Sequence, residues 1–96
     1  VQWLITRRLA VSAARLKSAR ESLRVLDEQA MSLHDDADSL EPSAVIDETG
    51  HRAYEHRKAA EHADVADRER ARLRERIVAL ERKQDELLDR LQAHRR

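Results

Sequence analysis

Apolar residues recur along this chain in alternating steps of four and three. In the first half the stripe runs through Ile5, Leu9, Ser12, Leu16, Ala19, Leu23, Leu26, Ala30, Leu33, Ala37 and Leu40. In the second half it runs through Ala59, Ala63, Ala66, Arg70, Leu73, Ile77, Leu80, Gln84, Leu87 and Leu91. Such spacing, sustained over several heptads, marks helices that pack side chains of one into gaps of another. Neither stretch contains proline or glycine, as a long helix requires. The pattern predicts an all-α protein with two long helices.

Between the stripes lies HDDADSLEPSAVIDETG, residues 34–50, which holds the chain's one proline and one glycine. Pro42 has no backbone N–H and disfavours helix at Glu41, so the first helix is expected to end near Asp38 to Leu40. Gly50 reads as a break or an early first-turn residue, with Thr49 or Asp47 able to cap the second helix. Val45 and Ile46 are expected to plug the bend. The reading is one domain over residues 1–96: a helix over 3–39, a bend over 40–49 and a helix over 50–94. A connection this short favours antiparallel neighbours, hence a coiled-coil hairpin. One bent rod pairing with a second chain is the other arrangement.

A bend centred near Ala44 sets a register in which Leu16 faces Arg70 or Glu69, and Leu9 lies near Ile77. Leu87, Leu88 and Leu91 would then overhang without a partner in their own chain, at the end that also carries Val1, Trp3, Leu4 and Ile5. Exposed apolar clusters of this kind mark association surfaces. Trp3, Leu4, Ile5, Leu87, Leu88 and Leu91 are therefore the predicted oligomer interface. The expected assembly is a homodimer in a four-helix arrangement, with a different protein partner as the alternative.

Composition sharpens this picture. Charged residues make up 40% of the chain, phenylalanine is absent and the aromatics are Trp3 and Tyr54 alone, too few large side chains for a globular core. The regular stripe argues against disorder. Ala53, Ala59, Ala60, Ala63 and Ala66 are expected to face the Ala30 to Ala37 region. Alanine buries little area, and at about 25 cal/mol per Å² that half should be the less stable one.

Charge is uneven although the net is zero. Residues 1–34 carry six basic and three acidic groups, 35–48 carry six acidic and no basic groups, and 68–96 carry ten basic and six acidic groups. Asp35, Asp36, Asp38, Glu41, Asp47 and Glu48 form the candidate partner-binding tip, although charge runs also serve simply as solvated faces. Nucleic acid is not the expected partner. Arg68, Arg70, Arg72, Arg74 and Arg76 scatter around a helix, interleaved with glutamates, and no aromatics are available for base stacking. The segment VQWLITRRLAV is amphipathic but far shorter than the roughly 20 residues of a membrane span. With no transmembrane segment and no cleavable signal, the expected location is the cytoplasm.

Candidate chemistry is thin. Asp36 and Asp47 stand at the first and twelfth positions of a possible calcium loop, but Leu40 and Glu41 occupy the fifth and sixth positions, which need an oxygen ligand and glycine. His34 with Asp38, and His51 with Glu55, are pairs four residues apart that could converge on zinc. No HExxH motif or cysteine sharpens them, and the expectation is no metal and no cofactor. There is no glycine-rich phosphate loop and no activated nucleophile. Two helices also offer no enclosed pocket. The chain reads as a non-enzyme.

Two resemblances bear on function. RVLDEQ…LHDDADS…IDETG…YEHRKAAEHAD…QDELLDRL, within residues 20–91, resembles small uncharacterised actinobacterial helical-hairpin proteins, and 16 arginines to 3 lysines fit a high-GC bacterial genome. This resemblance implies the hairpin and assigns no site residue. In architecture, an antiparallel coiled coil with an acidic tip is similar to the secondary-channel regulators of bacterial RNA polymerase. That likeness implies tip carboxylates, here Asp35, Asp36 and Asp38, approaching a catalytic magnesium; the chain has none of the zinc-binding cysteines. The resulting expectation is a self-associating interaction or scaffold protein, with the polymerase-regulator class as the alternative.

Overall fold

The structure is a computed structural model and describes residues 1–46 and 50–95. They form two α-helices, α1 (Gln2–Ile46) and α2 (His51–Arg95), with no strand among the described residues. At the start of α1 the Val1 carbonyl accepts hydrogen bonds from the N–H groups of Leu4 (3.1 Å) and Ile5 (3.3 Å). Before α2, Gly50 takes φ +75°, a left-handed conformation that costs an L-residue about 1–2 kcal/mol. Its carbonyl accepts the Tyr54 N–H at 3.0 Å, so Gly50 itself sets the entry to α2. Thr49 and Asp47, the expected caps, lie outside the described residues. His94 and Arg95 place basic side chains in the last turn of α2, where they complement the helix dipole.

Every residue of the two predicted stripes is buried or half-buried, Ser12, Arg70 and Gln84 included. The stripe continues on α1 to the half-buried Ala44.

That continuation overturns the expected helix end. α1 runs through Pro42 to Ile46 rather than stopping near Asp38 to Leu40. Pro42 is exposed, and at 100° per residue it falls opposite the seam positions Leu40 and Ala44. The Asp38 carbonyl that loses its N–H partner thus lies on the outer side, where water can serve it, while the seam continues beneath. Val45 and Ile46 do not plug a bend: each is 81% exposed.

The chain divides into two compact units, one formed by Val1–Leu23 with Arg72–Arg96 and the other by Arg24–Ala71. In the first unit Ile5, Leu87 and Leu91 bury one another with Leu9 packed against them. Leu16, Ala19 and Ile77 form a further cluster flanked by Leu23, Leu73 and Leu80. In the second unit the buried apolar residues are Ala30, Ala37, Ala63 and Ala66, with Ala30 fully covered.

These contacts correct the expected register. Leu16 meets Ile77 rather than Arg70 or Glu69, and Leu9 joins Leu87 and Leu91 rather than Ile77. The assumed centre, Ala44, lies inside α1, so pairings counted from it were displaced. The predicted overhang is absent, because Leu87 and Leu91 find Ile5 of their own chain.

Leu16→Ala should destabilise the chain by about 2–5 kcal/mol, read as a lower urea midpoint, since it empties the centre of a cluster. Amide hydrogen exchange should be faster over residues 24–71 than over 1–23 and 72–95, because alanine side chains hold the former.

Candidate functional site: an apolar groove with a basic rim

With the stripes satisfied within the chain, apolar side chains that remain exposed fall off the 4-3 pattern. Trp3 is 64% exposed, Val11 45% and Leu4 40%. They lie on α1 between and beside the seam positions Ile5, Leu9 and Ser12. Together with Leu80 and Lys83 of α2 they line a groove of about 610 Å³. Its other walls are Arg7, Arg8, Arg15 and Ser12, so every charged residue lining it is basic. In the groove wall the Ser12 hydroxyl is buried and has no hydrogen-bond partner among the described residues. A seam serine usually returns its hydroxyl to the carbonyl four residues back, as exposed Thr6 does to Gln2 at 3.0 Å and Ser39 to Asp35 at 2.8 Å.

Of the predicted interface residues, Ile5, Leu87 and Leu91 are core of the first unit, whereas Trp3, Leu4 and Leu88 remain exposed. Val11 and the four cations were missed at the sequence level. The signal was present: Trp3, Leu4 and Val11 are large apolar residues off the stripe, with Arg7, Arg8 and Arg15 at the same face spacing.

The second unit carries a polar layer where the seam reads Arg70. Arg70 Nε donates to Asp27 Oδ1 at 2.7 Å and its Nη1 to Asp67 Oδ1 at 3.2 Å. His34 Nε2 lies 2.9 Å from the other oxygen of Asp67. The hydrogen bond from His34, with help from Arg70, holds the Asp67 carboxyl below the usual carboxylate range, against a smaller opposing effect of burial. The hydrogen bond to Asp27 pushes the Arg70 guanidinium up. A polar seam residue of this kind fixes pairing at a cost in stability. A slip of one heptad would leave apolar contacts interchangeable but would separate Arg70 from Asp27 and Asp67 from His34.

The structure does not bring the four zinc candidates, His34, Asp38, His51 and Glu55, together into one group. His34 turns to Asp67 rather than Asp38, and His51 pairs with Glu55 at 2.9 Å. No group of three metal-ligating side chains gathers among the described residues. Asp35, Asp36, Asp38 and Glu41 are exposed on α1, which continues past them to Ile46, and Asp47 and Glu48 lie outside the described residues. Asp36 lines a shallow second concavity of about 530 Å³ with Leu40, Tyr54, Lys58 and His62. There Lys58 Nζ stands 5.6 Å from the Tyr54 ring centroid and 3.3 Å from Glu61. No helix among the described residues is long and apolar enough to cross a membrane.

No family model matches the chain, and no curated protein or solved structure matches it.

Because the folded-state value of Asp67 is lowered, its contribution to stability is present above the unfolded carboxylate value and is lost as pH falls through the folded one. Asp67→Asn should therefore flatten the acid limb of stability below about pH 4. Urea unfolding at stepped pH measures it, and an acid limb identical to wild type would count against the Asp67 ion pairs.

Proposed function

We propose that this chain is a non-enzymatic antiparallel coiled-coil hairpin that works in the cytoplasm as a self-associating interaction or scaffold module. The observation that carries the reading is the basic-rimmed apolar groove, with Trp3 at 64% exposure beside Leu4 and Val11. A monomer whose stripes are already buried gains nothing from these side chains except through a second molecule. The antiparallel arrangement is supported by contacts in which low numbers on α1 meet high numbers on α2, Ile5 with Leu87 and Leu91, then Leu16 with Ile77. Arg70 bridging to Asp27 supports the same direction in the second unit. The reading moves the assembly surface away from Ile5, Leu87 and Leu91, which are needed inside the fold, and onto Trp3, Leu4 and Val11.

Light scattering across a concentration series tests it on the wild type beside a Trp3→Asp, Leu4→Asp variant. The expected result is a wild-type mass above the 11.1 kDa of one chain and a variant at that mass with its helicity retained. A wild type that stays at 11.1 kDa throughout would remove self-association from the reading.

A further inference from the structure

We infer that the groove's occupant is the acidic outer face of α1, residues 31–46, from a second copy of this chain; this rests on the self-association reading above. The groove presents Trp3, Leu4 and Val11 between Arg7, Arg8, Arg15 and Lys83, with no acidic residue in its lining. Groove-to-groove pairing between two copies would set four cations against four in a partly desolvated contact, which is repulsive. The chain itself carries the complementary surface. At 100° per residue, Met31, Asp35, Asp38 and Ile46 lie on the face of α1 opposite the seam residues Leu33, Ala37, Leu40 and Ala44, with Val45 at the edge of that face and Glu41 on the flank between it and the seam. Met31 is 68% exposed, and Val45 and Ile46 are 81% exposed.

Two carboxylates and three bare apolar side chains on one helix face, with Glu41 on its flank, are what a basic-rimmed apolar groove is built to take, apolar to apolar at the centre and opposite charges at the rim. The zero net charge adds no overall repulsion between copies. One such contact leaves a groove and an acidic face unused and therefore propagates; two made reciprocally between the same pair close a dimer.

Charge reversal tests the pairing. A groove variant, Arg7→Glu with Arg8→Glu and Arg15→Glu, and a face variant, Asp35→Lys with Asp38→Lys and Glu41→Lys, should each run at the 11.1 kDa monomer mass while helical by circular dichroism. Mixed in equal amounts, the two should assemble again, since each then meets an oppositely charged surface. Wild-type assembly should also weaken as salt rises from about 0.1 to about 1 M, where the Debye length falls from about 10 to about 3 Å. That measurement is independent of any effect of substitution on folding.

Reversed variants that assemble like wild type, a helical mixture that stays monomeric, or a wild-type mass unchanged by salt would each overturn the pairing and leave self-association standing. A wild type monomeric at every concentration would remove both.

Discussion

Two helices packed on each other can each bury one stripe of side chains and no more. Everything else in this structure follows from how that stripe is filled. In the first unit isoleucine and leucine fill it, Ile5 against Leu87 and Leu91, then Leu16 against Ile77. In the second, alanine takes its most deeply covered positions, Ala30, Ala37, Ala63 and Ala66, beside the half-buried Leu26, Leu33 and Leu40. Any large apolar residue off the stripe is left in solvent by geometry. For this reason Trp3 and Val11, unremarkable in composition, become the most informative residues for function.

The stripe itself was legible, because periodicity is a local property and survives without knowledge of the partner. All positions from Ile5 to Leu40 and from Ala59 to Leu91 at that spacing proved covered. Register was not legible, for a reason inherent in heptads: shifting one helix by seven residues maps a stripe onto itself. The expected pairing depended on where the first helix stopped, and that depended on Pro42. Proline's local preference lost to the continuing seam at Leu40 and Ala44, since its ring falls on the outer face. The apparent overhang at Leu87 and Leu91 was a product of that displaced end.

What breaks the degeneracy is polar. Arg70, an oddity in an apolar stripe, reaches Asp27 and Asp67 together, and His34 occupies the remaining oxygen of Asp67. Half-exposed ion pairs of this kind add little to stability. Their value lies in directionality, because leucines and alanines accept many neighbours and a guanidinium fork accepts few. The network also absorbs His34, whose spacing with Asp38 had suggested a metal ligand. Sequence spacing identifies neighbours on one helix and says nothing of the neighbour supplied by the other.

The alanine seam has a thermal consequence. The heat capacity of unfolding scales with the apolar surface that unfolding exposes. Opening the second unit uncovers four buried alanines with the half-buried Leu26, Leu33 and Leu40, whereas opening the first uncovers the buried isoleucine and leucine clusters. The stability of the second unit thus varies gently with temperature, and most of the curvature of the whole chain's stability resides in the first.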